Sequence, residues 1–193
     1  MKSICVFCGS SPGSDKEFAE ETKKLAALFL KENIELVYGG GNIGLMGVIA
    51  GAMMEGGGKV TGIMPEFLMR REHADLEITK LILVQSMHER KAMMSELSNG
   101  FIVLPGGLGT LEEFFEVWTW EQLRLHNKPI GVLNTGGYYD GMIKFLDHSV
   151  EKGFLRKEDR DLILIDDDPG QLLVKMQARY TENHTDPDIE EKT

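Results

Sequence analysis

Seven short apolar runs, each followed by a segment long enough for a helix, set the tightest limit on how this chain can fold. The runs are Ile4–Cys8, Ile34–Tyr38, Lys59–Met64, Leu81–Gln85, Phe101–Leu104, Ile130–Asn134 and Leu162–Ile165. Helical periodicity lies between them, over Asp15–Glu32, Leu45–Glu55, Met87–Leu97, Leu111–His126, Tyr139–Lys152 and Gly170–Tyr180. Nearly continuous apolar strands joined by helices imply a mainly parallel sheet covered on both faces. The expected fold is one doubly wound, Rossmann-like α/β domain over residues 1–180 with about seven strands, followed by an acidic, disordered tail over 181–193. A Ser14-x-x-Glu17 spacing after a Gly/Pro turn predicts a capping box on the first helix.

Composition narrows the partners. Lys and Arg number 21 against 31 Asp and Glu, a net charge of −10, and the last thirteen residues hold five acids against Lys192. A broad negative field opposes nucleic-acid wrapping and anionic membrane surfaces, though it leaves room for a local anion site. The longest apolar stretch, Leu45–Met54, is about half a bilayer span, and Ile4–Cys8 is too short for a secretory core. The expectation is a cytoplasmic protein. Cys5-Val-Phe-Cys8 has the spacing of a metal or redox pair. No second pair exists, however, and the motif lies inside a strand run, so both cysteines are read as buried strand residues. The histidines at 73, 88, 126, 148 and 184 show no ligand spacing, and no metal or other cofactor is expected.

Ligands of open α/β sheets bind beyond the carboxyl ends of the strands. Three of those ends are glycine-rich here: Gly9-Ser10-Ser11-Pro12-Gly13, Gly39-Gly40-Gly41-Asn42-Ile43-Gly44 and Pro105-Gly106-Gly107-Leu108-Gly109-Thr110. Glycine lets backbone approach a ligand closely, and a helix N-terminus offers unpaired N–H groups with partial positive charge. Three such ends on one edge point to a phosphate or nucleotide site that includes Ser10, Gly40 and Gly41. The spacing Gly39-x-Gly41-x-x-Gly44 also fits a dinucleotide fingerprint, with Glu66 as the ribose acid. That match is weak, because the glycines follow the second strand and Glu66 follows Pro65.

Two helices carry residues that break their own pattern. Wound at about 100° per residue, Met87–Leu97 places Arg90 in the middle of a stripe formed by Met87, Met93, Met94 and Leu97. A buried guanidinium needs an anionic partner, in the protein or in a ligand. Lys91 lies beside it. In Leu111–His126, Leu111, Phe114, Phe115, Trp118 and Leu125 form one expected core face, which leaves Val117, Trp120 and Leu123 for contact with another copy. Glu112 and Glu113 follow the third glycine loop in the expected first turn, where two acids beside a phosphate suggest chemistry rather than dipole compensation alone.

Pro105-Gly-Gly-Leu-Gly-Thr-Leu-Glu-Glu113 resembles the PGGxGTxxE motif of the "lonely guy" family, the cytokinin riboside 5'-monophosphate phosphoribohydrolases. Met87-His-Glu-Arg-Lys91 resembles that family's second motif. The likeness runs from Cys8-Gly-Ser-Ser11 and Tyr38-Gly-Gly-Gly41 through Thr119-Trp-Glu-Gln122. It implies a Rossmann-like homodimer that hydrolyses the N-glycosidic bond of a nucleoside 5'-monophosphate without a cofactor, and the off-face set of helix 111–126 supplies the expected contact between copies. Arg90 and Glu113 become the catalytic pair. Gly106, Gly107, Gly109 and Thr110 would hold the phosphate, with Leu108 and Leu111 of the same motif against the nucleotide. Lys91, Glu112, Thr119 and Glu72 would complete the site. Leu108 stands where relatives often have Tyr. Nothing marks a pyridoxal-phosphate lysine, although many relatives carry the label lysine decarboxylase. The competing expectations are a molybdenum-cofactor or nucleotide carrier of the same fold, and an NAD-dependent oxidoreductase resting on the Gly39 fingerprint alone.

Overall fold

In the computed structural model the described residues are 1–69, 73–75 and 77–185. Every expected run forms a strand: β1 Ser3–Phe7, β2 Glu35–Tyr38, β3 Val60–Pro65, β4 Lys80–Val84, β5 Phe101–Val103, β6 Ile130–Leu133 and β7 Ile163–Asp166. All adjacent strands pair in parallel, in the order β4-β3-β2-β1-β5-β6-β7. The chain reverses direction across the sheet between β1 and β5, so the open crevice of a doubly wound fold falls at their carboxyl ends.

Helices α1 (Lys16–Lys31), α2 (Gly44–Glu55) and α7 (Pro169–Thr185) cover one face, where Leu25, Phe29, Ile49, Met53 and Leu172 pack on Ile4, Val6 and Leu36. Helices α3 (Met87–Glu96), α4 (Leu108–Gln122) and α5 (Asp140–Glu151) cover the other, with Met94, Phe114, Trp118 and Leu146 against Cys5, Phe7 and Phe101. Side chains alternate along a strand, so Cys5 and Cys8 enter opposite cores. Both are buried free thiols, as expected of strand residues, and the C-x-x-C spacing does not bring them together.

Several local expectations are corrected. The first helix is capped at Asp15, not Ser14, and without a side-chain hydrogen bond. A capping box stands instead at α3, where Ser86 Oγ accepts the Glu89 N–H at 3.1 Å and Glu89 Oε2 accepts the Gln85 N–H at 2.7 Å. A one-turn helix, α6 (Lys157–Arg160), was not foreseen. Helix α7 continues through Thr185, taking up the start of the segment read as a tail; residues 186–193 lie outside the described ones.

Helix α4 differs most. It begins at Leu108, three residues early, which puts Glu112 and Glu113 in its second turn and leaves no acid in the first. Its buried stripe is Phe114, Val117, Trp118 and Glu121, spaced i, i+3, i+4, i+7. Val117 is therefore core, and Trp120 packs partly against it, while Leu123 is 63% exposed and Phe115 is 38% exposed. Apolar residues circle most of this helix, so its rotation was set by packing rather than by pattern. Trp118 Nε1 donates to the Asp159 carbonyl of α6 at 2.9 Å and Gln122 Nε2 to its carboxylate at 3.0 Å, fixing that rotation.

Candidate active site

The three glycine-rich strand ends meet through backbone. Gly9 N–H donates to the Pro105 carbonyl at 3.0 Å, and Leu45 N–H donates to the Gly9 carbonyl at 3.0 Å. A side chain on Gly44, where φ is +59°, would strike the backbone of Ser10 and Ser11, and one on Gly106 would strike the Thr110 hydroxyl. The first and third loops thus lie against each other at the crevice between β1 and β5, with α2 starting beneath them.

The glycines of the second loop are occupied by the fold itself. Gly40 and Gly41 are buried under the returning segment 73–75: Gly40 O accepts the Asp75 N–H at 2.9 Å, and Gly41 bridges Ala74. Asn42 N–H donates to the His73 carbonyl at 3.0 Å. The irregular stretch after β3 is therefore tied back over the second loop. Glu66, the acid of the dinucleotide fingerprint, accepts from Gln85 Nε2 at 3.0 Å. Glu72 lies outside the described residues.

The third loop is different in kind. A side chain on Gly107 or Gly109 would meet nothing within 4 Å, so no neighbour in the protein demands glycine there. Gly107 is the N-cap of α4 and supplies no side-chain acceptor. Among the described residues, no acceptor meets the N–H groups of Gly107, Leu108, Gly109 or Thr110. This is the geometry of an anion site: open space, unpaired N–H groups and the positive end of a helix dipole. Leu108 is 87% exposed at its rim, Leu111 is half-buried, and Ser10 is exposed on the facing loop. Thr110 is buried beneath Gly106.

Arg90 is only 4% exposed, as its place in the apolar stripe required. Its Nη2 donates to the Gly39 carbonyl at 2.9 Å, and Nη1 lies 3.9 Å from the Met87 sulfur. Glu113 reaches the same region from α4. Burial raises the Cys5 thiol pKa most, the Glu113 charge raises it further, and the Arg90 charge lowers it. One strand residue thus feels both charges. Lys91 Nζ holds Glu112 at 2.5 Å and Glu116 at 3.0 Å. Burial alone would lower the ammonium's pKa, but these two carboxylates raise it above its ordinary value. His88 is exposed at the helix start, and no group of acids, histidines and cysteines among the described residues could hold a metal.

Two contributors were missed in the sequence. Gly39, an early member of the second loop, is the acceptor for Arg90. Tyr138, after β6, donates its hydroxyl to the Gly106 carbonyl at 2.6 Å. The Gly136-Gly137 pair before it is a fourth glycine-rich strand end, the same signal that marked the others.

The chain is similar to known proteins over most of its length. A family model described as "Possible lysine decarboxylase" matches residues 46–176. The cytokinin riboside 5'-monophosphate phosphoribohydrolase LOG1 of Arabidopsis thaliana is 45% identical over 184 residues, 95% of this chain and 86% of its own. LOG2 of the same plant is 44% identical over 186 residues, covering 96% and 87%. Among solved structures, the Moco carrier protein of Chlamydomonas reinhardtii superposes with a TM-score of 0.69 at 16% identity, covering 94% of this chain and 98% of that one. The molybdenum cofactor binding protein of Rippkaea orientalis gives 0.69 at 18%, covering 92% and 97%. These two likenesses speak to the fold.

Proposed function

Because the chain belongs to the family of the cytokinin riboside 5'-monophosphate phosphoribohydrolases, we propose that it hydrolyses adenosine 5'-monophosphates, N6-modified ones included, to free base and ribose 5-phosphate. The observation that carries this reading is the open, uncapped start of α4, about one turn before Glu113, in a fold that also buries Arg90. The 5'-phosphate sits on the N–H groups of Gly107–Thr110, beside Gly106 and Ser10, with Leu108 and Leu111 against the nucleotide. In the reaction the C1'–N9 bond breaks and its electron pair leaves with the base, which takes up a proton. Water adds to C1' and loses one. Positive charge grows on the ribosyl ring as the bond breaks, as in glycoside hydrolysis, and the Glu113 carboxylate stabilises it and orders the water. Arg90, held by the Gly39 carbonyl, either orients Glu113 or meets the phosphate. Lys91 and Glu112 support the same wall, and Glu72 completes the nucleotide site in this reading. The decarboxylase description of the family model finds no support at buried Lys91, which is engaged by two carboxylates.

A homodimer completes the site. At about 1.5 Å per residue, Thr119 lies on the order of 16 Å along α4 from Leu108. It is exposed beside Phe115 and Leu123, so it reaches a nucleotide only across a second copy packed on this face. The same reading takes residues 1–180 as the catalytic domain and places the protein in the cytoplasm, with neither nucleic acid nor membrane as partner. No helix among the described residues is long and apolar enough to cross a membrane.

The test is incubation of the pure protein with AMP, isopentenyladenosine monophosphate and the matching nucleosides, followed by chromatography for free base. Two or three charge-assisted hydrogen bonds to the phosphate predict a kcat/KM preference for monophosphates of about a thousandfold or more. Equal cleavage of nucleosides would make the loops elements of the fold and the enzyme a plain nucleosidase. Tight binding without cleavage would favour a carrier.

A further inference from the structure

The loop after β6 reaches the crevice with two tyrosines side by side. Tyr139 is buried and donates its hydroxyl to the Leu104 carbonyl at 2.7 Å, tying the loop to the end of β5. Asn134 holds the turn, accepting the Tyr139 N–H at 2.7 Å and donating to Asp140 at 2.8 Å. Tyr138 is left 46% exposed, its ring edge-on to Phe18 of α1 at 5.8 Å, and its hydroxyl donates to the Gly106 carbonyl at 2.6 Å. A hydroxyl this exposed could be served by water, so burial does not require the bond.

Resting on the phosphoribohydrolase reading, we propose that Tyr138 is a positioning residue of the phosphate site, its hydroxyl fixing the plane of the Gly106–Gly107 peptide. In a trans peptide the C=O and the following N–H point in opposite directions. By holding the Gly106 carbonyl, Tyr138 turns the Gly107 N–H away from itself, into the open space where α4 begins. Two consecutive glycines have the least intrinsic preference for any one peptide orientation. Among the described residues no other hydrogen bond restrains this carbonyl. Released, the peptide can rotate and present its oxygen to the phosphate, replacing an attraction with a repulsion. Tyr138 therefore acts on phosphate affinity through Gly107 without touching the reacting bond.

Tyr138→Phe removes the hydroxyl and leaves the ring against Phe18. Its KM for AMP should rise about tenfold or more, as for the loss of one well-placed hydrogen bond, with kcat within about threefold. The dissociation constant for ribose 5-phosphate, measured by calorimetry, should rise by the same factor, and kcat/KM for adenosine should not change. Phe18→Leu, which loosens the ring but keeps the hydroxyl, should do less than Tyr138→Phe. Unchanged binding of ribose 5-phosphate by Tyr138→Phe would overturn the proposal. So would an equal loss of kcat/KM for adenosine and AMP, which marks a purely structural role. A wild-type protein that binds ribose 5-phosphate but cleaves no nucleotide would sink the enzymatic reading and leave the weakened binding of the variant as the measure of Tyr138. A wild-type protein that does not bind it would overturn both.

Discussion

The Arg90 guanidinium donates to the carbonyl oxygen of Gly39 at 2.9 Å, and it fills the space that a side chain on Gly39 would occupy. A methyl group there would collide with Nη2 and push the buried guanidinium aside. Displacing a catalytic group by about 1 Å costs on the order of 100-fold in rate. Gly39→Ala should therefore lower kcat by about that factor while AMP still binds, measured by steady-state kinetics. Near-normal kcat would mean that Arg90 acts from a broader range of positions than its packing suggests.

Glu113→Gln is nearly isosteric and lies past the first turn of α4, so the fold should be kept. Losing a carboxylate that stabilises developing charge costs about 100-fold or more. Turnover should drop by at least that much, with a melting temperature close to the wild type. A mutant that works at half speed would take Glu113 out of the reaction.

Oligomeric state is checked by light scattering at micromolar concentration. The expected mass is at least twice 21.6 kDa, and Leu123→Lys should shift it toward one chain. A wild-type protein that stays at 21.6 kDa would leave Thr119 without a nucleotide to meet.

Glu121 gives stability a pH dependence. Burial in the core stripe of α4 pushes its pKa up from 4.5 to about 8, against a partial opposing effect of Arg179 on α7. The native state then binds the proton more tightly than the unfolded chain. The contribution is complete below about pH 4.5 and is lost as pH rises toward about 8, at roughly 1.4 kcal/mol for each unit of displacement. Glu121→Gln cannot ionise, so the difference between its melting temperature and that of the wild type should widen in the variant's favour from pH 5 to pH 8.5. Parallel profiles would show that the carboxyl is not held neutral.

Thiol titration of the native protein should find neither cysteine. Burial raises both thiol pKa values, the Glu113 charge raises them further, and the two side chains enter opposite faces of the sheet. Both should react once the protein is unfolded. A native disulfide would contradict the strand geometry.

The inner strands were legible because a parallel strand covered on both faces must be apolar nearly throughout, as β1, β2, β3, β5 and β6 are, and the partly exposed edges β4 and β7 keep enough of that pattern to be read. Arg90 was legible for the same reason in reverse, as a charge where only methionine and leucine belong. What Arg90 touches was not, because Gly39 is 51 residues away and is brought there by the sheet. The same distance problem hid Tyr138, 32 residues from Gly106. The rotation of α4 was misjudged because Phe115, Val117 and Trp120 are equally apolar in sequence, and the contacts with the sheet and with α6 choose among them. Ser86-x-x-Glu89 and Ser14-x-x-Glu17 carry the same spacing, and only Ser86 stands at the residue where its helix begins.

Gly107 stands where stability and function pull apart. A Ser, Asp or Asn at an N-cap stabilises a helix by only about a few tenths of a kcal/mol over glycine, but open space surrounds the position, so any of them would fit at some gain. Selection for a hardy protein alone would fill it. With glycine there, on the proposed reading, the substrate's phosphate becomes the missing cap, and α4 is finished only when a nucleotide arrives. Product release is then also the uncapping of a helix, and a version of this chain improved for heat resistance at residue 107 would carry its own competitive inhibitor.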